Sequence, residues 1–162
     1  MSARILENRV AIVTGAGRGV GRSHALALAR HGASLVVNDL GGNLQGHGRD
    51  ATPAQTVVEE IRRFGGNATV SGHDVSDWGQ AAEMIDLAVR SFGRLDILVN
   101  NAGILRDRTL SNMSEEEWDA VVRVHLKGHA APTRHAMSYW RERSKAGEPV
   151  AASVVHTTSL AG

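Results

Sequence analysis

The residues best suited to bind a ligand form a glycine-rich run, Thr14 to Gly21, in which Gly15, Gly17, Gly19 and Gly21 alternate with other residues. The run follows an apolar stretch and precedes a helix-like one. Glycine lets a phosphate approach the backbone, and a helix start offers amide N–H groups and partial positive charge. The spacing departs from the general dinucleotide fingerprint G-x-G-x-x-G, and glycines also mark ordinary tight turns. In this context we interpret the run as a phosphate-binding turn.

An acidic residue strengthens this interpretation. Asp39 follows the apolar run Ser34 to Asn38 and lies about twenty residues beyond the glycines, where a carboxylate can accept hydrogen bonds from the adenosine ribose. Its negative charge would repel the additional phosphate of NADP, whereas Arg18 could attract that phosphate. The position of Asp39 therefore predicts a preference for NAD.

Strand-like and helix-like runs alternate along the chain, which is the pattern of a parallel sheet covered by helices. Because consecutive apolar residues suit strands buried on both faces, we predict an α/β fold with a doubly wound, Rossmann-type sheet in the order 3-2-1-4-5. Ligands bind at the carboxyl ends of such strands. The predicted strands are Arg9 to Thr14, Ser34 to Asn38, Ala68 to Gly72, Leu95 to Val99 and Val150 to Thr158.

One helix is predicted with a defined start and a defined apolar face. Ser114 and Glu117 have the spacing of a capping box. The apolar face, predicted to lie against the sheet, consists of Trp118, Val121, Val122, His125 and Leu126.

The segment Gly41 to Pro53 is polar, glycine-rich and longer than most strand-to-helix connections. Two interpretations stay open, a mobile lid over the ligand or an inserted surface loop.

Composition excludes several classes of protein. The 162 residues are 42% hydrophobic and 22% charged, which argues against disorder and against a membrane protein. A net charge of +1 offers no basic field for nucleic acid. Cysteine is absent, which suits a reducing compartment. The stretch Met1 to Arg9 is too polar for a signal peptide, so a cytoplasmic location is the expectation.

Three motifs in order resemble the short-chain dehydrogenase/reductase family, each at the carboxyl end of a predicted strand. They are the glycine run Thr14 to Gly21, Asn100 to Gly103 and Thr158 to Gly162. Three further stretches resemble the hydroxyacyl-CoA dehydrogenase units of peroxisomal multifunctional β-oxidation enzymes: Val37 to Gly42, Gly103 to Arg108 and Arg123 to Gly128.

The resemblance implies a single NAD-binding domain over residues 1–162 and an NAD-dependent oxidoreductase. Its substrate would be a secondary alcohol or the matching ketone, with a hydroxyacyl-CoA as one candidate. The alternative is a non-catalytic nucleotide-binding module or a truncated product. The family's later strands and its Tyr/Lys pair would lie beyond Gly162, so we expect a longer natural chain. Because the last strand would be an uncovered apolar edge, we expect that chain to form a dimer or tetramer.

The resemblance also assigns cofactor-binding roles. Asp39 would contact the ribose, and Asp74 and Val75 would lie beside the adenine, although Asp74 could instead serve a turn or a helix start. Asn101 could contact the ligand or only satisfy neighbouring backbone groups. The complete predicted set is Gly15, Arg18, Gly19, Val20, Gly21, Asp39, Asp74, Val75, Asn101, Ala102 and Gly103.

For catalysis the resemblance assigns Ser159 to orient the substrate oxygen, and it places His125 where most members of the family carry an asparagine. His125 could hold a water molecule or be a packed helix residue. Tyr139 is predicted to be a surface aromatic residue of a helix, because Arg143 stands where the family's lysine would follow. His125 and His129 have a metal-ligand spacing but lack an evident third ligand, so we predict no metal site.

Overall fold

The computed structural model describes residues 4–42, 48 and 50–159 of the chain. Five parallel strands form one sheet in the order β3-β2-β1-β4-β5, which confirms the predicted fold and strand order. The strands are β1 Val10–Thr14, β2 Ser34–Asn38, β3 Ala68–Ser71, β4 Ile97–Asn100 and β5 Ser153–His156. β5 is shorter than predicted, because its ladder pairs only residues 153–156 with β4.

Helices cover both faces of the sheet. They are α1 Gly19–Arg30, α2 Thr52–Arg63, α3 Trp78–Phe92, α4 Glu115–Val122 and α5 Gly128–Lys145, with a 3₁₀ turn at Leu110–Asn112 and a π-helical turn at Arg123–Lys127. None of the helices in the described part of the chain combines the length and the apolar character needed to cross a membrane.

The sheet separates two apolar clusters, because successive side chains of a strand point to opposite faces. Val13 packs with α1 and α2 on one face, whereas Ile12 packs with α3 and α5 on the other. All five residues of β1 are buried, as expected for a central strand covered by helices on both faces. This rigid centre brings the carboxyl ends of β1, β2 and β4 to one edge of the sheet.

The predicted helix start at Ser114 is confirmed. The backbone N–H of Glu117 donates to Ser114 Oγ at 3.2 Å, and the Ser114 N–H donates to Glu117 Oε2 at 3.0 Å. This reciprocal capping box satisfies two amide donors of the first turn.

The prediction that the face following this start packs against the sheet is wrong. Trp118 is 54% exposed and Leu126 is 68% exposed. The reason is that α3 and α5 already cover this face of the sheet, and α4 buries none of its residues. The residues that face the sheet begin after the π-helical turn, in α5, with Ala131, Ala136 and Trp140 buried there.

The segment predicted as a lid or surface loop falls largely outside the described residues, since 43–47 and 49 are not among them. α2 begins at Thr52, one residue before the predicted end of the segment. The two interpretations of Gly41 to Pro53 therefore both stay predictions.

Candidate nucleotide-binding and catalytic site

The glycine-rich turn joins β1 to the start of α1 in a tight cradle. Gly15 and Gly19 have φ of +62° and +54°, the left-handed region that glycine adopts without a steric penalty. A β-carbon on Gly15 would lie 2.8 Å from the Ala102 Cα, and one on Gly21 would overlap the Gly15 carbonyl oxygen. Gly15 and Gly21 are therefore required because the backbone at these positions packs directly against other backbone.

The start of α1 offers donors to a ligand. Arg18 occupies the N-cap position in an extended conformation, and its side chain makes no capping hydrogen bond. Val20, in the first turn, is 58% exposed. Because the first amides of a helix have no partners within the helix, this exposed end can donate to a phosphate.

Asp39 ties the end of β2 to the same turn. The Gly17 N–H donates to Asp39 Oδ2 at 2.7 Å, and the Gly41 N–H donates to Oδ1, also at 2.7 Å. A carboxylate has about four lone-pair sites, so two stay available for the hydroxyl groups of a ribose. Asp39 is thus held in place by two backbone amides and can still accept hydrogen bonds from a ligand.

Gly17 is a residue of the cradle that sequence reasoning omitted from the site. A β-carbon there would lie 2.8 Å from Asp39 Oδ2 and 2.8 Å from the Pro53 Cβ. The alternation of glycines in the sequence already indicated that Gly17 belongs to the turn. Its contact with Pro53 depends on the tertiary fold and could not be predicted from spacing.

The backbone after β4 forms the other wall of the cradle, and Thr14 holds it there. The N–H groups of Asn101 and Ala102 donate to Thr14 Oγ1 at 2.9 and 3.0 Å, and Thr14 Oγ1 donates to the Val99 carbonyl at 3.3 Å. Thr14 is fully buried. It is a positioning residue that sequence reasoning did not assign, because a hydroxyl between two strands has no distinctive local pattern.

Asn101 makes structural contacts in this arrangement. Its Nδ2 donates to the carbonyl oxygens of Thr14 at 3.0 Å and Gly15 at 3.2 Å. The side chain therefore links β4 to the glycine-rich turn, and a direct contact with a ligand stays a prediction.

The pair Asp74 and Val75 lies in the connection between β3 and α3. Ser76 donates to Asp74 Oδ1 from both its backbone N–H at 2.8 Å and its Oγ at 2.7 Å. Val75 is buried in the cluster beneath α3 and α5. These contacts agree with the turn role considered for Asp74, and the adenine contact of this pair stays a prediction.

His125 lies in the π-helical turn, next to the loop that follows β4. Its Nε2 is 2.8 Å from the Ile104 carbonyl oxygen and 3.1 Å from the Ile104 backbone nitrogen. A β-carbon on Gly103 would lie 2.7 Å from the His125 Cε1, so only glycine gives the ring this space. A neutral imidazole can therefore donate to the Ile104 carbonyl or accept from its N–H, depending on which ring nitrogen carries the proton.

Ser159 and Tyr139 lie at opposite ends of the strands, Ser159 near the carboxyl ends and Tyr139 near the amino ends. Ser159 is exposed and follows the carboxyl end of β5. Tyr139 lines a small cavity with Arg94 and Leu95, just before β4 begins. Its hydroxyl is buried and its ring packs on the core, so Tyr139 is half-buried and not the surface aromatic residue predicted. This separation prevents Tyr139 from acting as proton donor beside Ser159.

His125 and His129 lie close together, with ring centroids 6.5 Å apart. Within residues 4–42, 48 and 50–159, no group of three or more histidine, cysteine, aspartate or glutamate side chains is arranged to hold a metal ion.

The arrangement fits a dinucleotide. It combines a glycine turn that added β-carbons would obstruct, an exposed helix start and a carboxylate at the end of the adjacent strand. The predicted site residues Gly15, Arg18, Gly21, Asp39 and Asn101 belong to this one edge of the sheet.

Comparison with known proteins agrees with this geometry. Residues 9–162 match the short chain dehydrogenase family. The chain is 49% identical over 138 residues to peroxisomal multifunctional enzyme type 2 of Drosophila melanogaster, a match covering 85% of this chain and 23% of that protein. It is 47% identical over 163 residues to hydroxyacyl-CoA dehydrogenase ChsB1 of Mycobacterium tuberculosis, covering 97% and 49% of the two chains. The chain belongs to the short-chain dehydrogenase/reductase family.

A solved structure supports the same conclusion. A short chain dehydrogenase from Mycobacterium avium superimposes with a TM-score of 0.89 at 55% sequence identity, covering 96% of this chain and 55% of that one. The chain spans about half the length of the mycobacterial relatives and about a quarter of the fly protein.

Proposed function

We propose that this chain is the coenzyme-binding part of an NAD-dependent oxidoreductase that interconverts a secondary alcohol and its ketone. One observation carries the proposal: the exposed start of α1 and the Asp39 carboxylate meet at a single glycine cradle. These are the two recognition elements that a dinucleotide requires, donors for the pyrophosphate and an acceptor for the ribose.

The nicotinamide of the bound coenzyme would supply the hydride chemistry. The chain's own residues would hold the reactants. Ser159 can donate a hydrogen bond to the substrate oxygen, which orients that oxygen and stabilises its developing charge. His125 can move a proton between its ring nitrogens while it stays hydrogen-bonded to Ile104.

We further propose a hydroxyacyl-CoA as the substrate class. The support is the name of one relative, the hydroxyacyl-CoA dehydrogenase that is 47% identical to this chain. Turnover of a 3-hydroxyacyl-CoA with NAD, followed as NADH absorbance, tests this proposal in the full-length natural protein. A simple secondary alcohol oxidised more efficiently than the thioester would contradict it.

NAD is expected to bind more tightly than NADP. Asp39 is held by the backbone amides of Gly17 and Gly41, so it cannot turn away from an additional phosphate without losing both hydrogen bonds. Like-charge repulsion then disfavours NADP. We expect calorimetric titration to give an NADH affinity about tenfold or more above that for NADPH, a difference of about 1.4 kcal/mol. Equal affinities, or tighter binding of NADPH, would count against this assignment.

The alternative function is a nucleotide-binding module or truncated product without catalysis. Tyr139 is the chain's single tyrosine, and its position near the amino ends of the strands favours this alternative for residues 1–162 taken alone. Binding of NADH without turnover by that segment, beside turnover by a longer natural chain, would assign catalysis to residues outside it.

We also propose that the full-length protein is a homo-oligomer in the cytoplasm. Leu126 and Met137 line one groove and are 68% and 59% exposed, and Trp118 and Val122 of α4 are 54% and 37% exposed. Exposed apolar faces of this kind mark protein contacts. Light scattering is expected to give a dimer or tetramer, and a monodisperse monomer would contradict the proposal. The lack of cysteine suits a reducing compartment, which cell fractionation can test.

A further inference from the structure

Two histidines meet behind the wall of the nucleotide cradle. His129, in the first turn of α5, places its Nε2 3.4 Å from the Ala102 carbonyl oxygen. Its Nδ1 lies 3.3 Å from the Nδ1 of His156, the last residue of β5. The two rings stack, with centroids 5.3 Å apart and planes 27° apart. We call these two residues the histidine pair.

The hydrogen-bond partners determine where the protons lie. A carbonyl oxygen only accepts, so the His129 Nε2 must carry a proton to bond Ala102. A neutral imidazole has one N–H, which makes the His129 Nδ1 an acceptor. The His156 Nδ1 is then the donor in the contact between the two rings. The Asn100 amide gives one of its two N–H groups to Thr133 Oγ1 at 2.9 Å and lies 3.5 Å from the His156 Nδ1, so the shorter contact, at 3.3 Å to His129, assigns the proton on that nitrogen.

Ala102 is a position from which α5 can influence the ligand site. Its N–H donates to Thr14 Oγ1 at 3.0 Å, while its carbonyl faces His129. A β-carbon on Gly15 would lie 2.8 Å from the Ala102 Cα, so this backbone contacts the glycine turn directly. A displacement of Ala102 would therefore change the wall and the turn together.

We propose that His129 is a positioning residue for the nucleotide site, and that His156 holds it in the tautomer that binds Ala102. The inference rests on the proposed function, since it concerns the same cradle. His129 does not touch the reacting atoms. Its role is to hold the Ala102 carbonyl in place by a hydrogen bond from the side of α5, away from the ligand.

The surroundings of the pair keep His129 neutral. Burial lowers the pKa of His129, and the nearby His156 and His125 lower it further, against the opposing effect of the hydrogen bond to Ala102. Arg134 and Arg141 line the same groove, and no carboxylate lies among the described residues that line it. Asn100 and Thr133, which also face the pair, are uncharged.

Protonation would break the pair in this tautomer. A charged His129 keeps its Nε2 proton toward Ala102 but gains a second proton on Nδ1, which would point at the Nδ1 proton of His156 across 3.3 Å. That repulsion would push the His129 ring away from the Ala102 carbonyl. Because the folded state lowers the pKa of His129, the neutral pair is complete above the ordinary histidine pKa of about 6.5 and is lost as the pH falls through the lower, folded value. Nucleotide affinity should therefore decrease toward acid.

The test is an NADH titration of the full-length protein from about pH 8 to pH 5.5, a range that spans the ordinary histidine pKa. We expect wild-type affinity to fall severalfold as the pH passes below the lowered pKa of His129. His129→Gln keeps an N–H for Ala102 without titrating, so it should retain affinity and lose the pH dependence. His129→Leu should bind about tenfold more weakly already at the alkaline end. His31→Gln, at the opposite end of α1 from the glycine turn, is the matched control and should keep the wild-type profile.

A second measurement separates this inference from the proposed function. Nitrogen-15 NMR of the imidazole rings reports each tautomer without any coenzyme. The inference predicts Nε2–H in His129 and Nδ1–H in His156, and the opposite tautomer in His129 would overturn it. A His129→Gln profile identical to wild type would also overturn it, even if His129→Leu failed to fold. If no variant bound NADH, the proposed function would fail, and the NMR result would still decide the state of the pair.

Discussion

Replacing Gly21 by alanine is expected to lower NADH affinity about 100-fold, equivalent to about 2.7 kcal/mol. A β-carbon at this position would overlap the Gly15 carbonyl oxygen and the Asn101 Nδ2, and it would lie 2.8 Å from the Gly15 carbonyl carbon. Two of these atoms belong to backbone, which cannot rotate away as a side chain can. The start of α1 must therefore shift from the glycine turn, and the amide donors at its end move with it.

Calorimetric titration with NADH measures this effect, and thermal unfolding followed by circular dichroism measures the accompanying loss of stability. Gly72→Ala is the control, because a β-carbon on Gly72 meets nothing within 4 Å. We expect the control to bind NADH as the wild type does. An affinity of Gly21→Ala within about threefold of wild type would show that the close packing of turn and helix is not needed for binding.

The fold was predictable because its signals are local and repeated. The strand-like runs predicted β1 and β2 closely, and the handedness of parallel connections gave the strand order. The face from Trp118 to Leu126 was not predicted correctly, because apolar periodicity shows that a helix has an apolar side but not which element covers that side. In the structure α3 and α5 pack on this face of the sheet, and α4 buries none of its residues.

The site was predictable in part for a related reason. The roles of the glycines and of Asp39 can be predicted from their separation in sequence. The pyrophosphate and the ribose of one dinucleotide require the turn and the acidic residue at the ends of neighbouring strands. The roles of Thr14, Gly17 and the histidine pair depend on contacts between residues distant in sequence. From sequence alone, a threonine at the end of a strand whose hydroxyl binds two amides just beyond a neighbouring strand cannot be told from one whose hydroxyl binds only water. The tertiary structure is needed to distinguish the two cases.

Replacing Thr14 by valine is expected to destabilise the protein by about 2–3 kcal/mol. Valine has nearly the same shape, so the core around this fully buried position keeps its packing. The substitution removes the acceptor of the Asn101 and Ala102 N–H groups, bonded at 2.9 and 3.0 Å, and the donor to the Val99 carbonyl. One unpaired, fully buried polar group costs about 1–3 kcal/mol; because both amides here are only partly buried, we expect the summed loss to lie in the upper part of that single-group range.

The midpoint of urea denaturation measures this loss of stability. Thr14→Ser serves as the rescue variant and Thr69→Val as the control. Serine restores the hydroxyl, so Thr14→Ser should recover most of the stability, whereas Thr69→Val changes a threonine in β3, away from the wall of the cradle. Because Asn101 and Ala102 form that wall, Thr14→Val should also weaken NADH binding, and Thr14→Ser should restore it. A Thr14→Val protein with the wild-type midpoint and NADH affinity would mean that Thr14 does not hold the wall. Its position would then depend on the sheet together with the Asn101 side chain and His129.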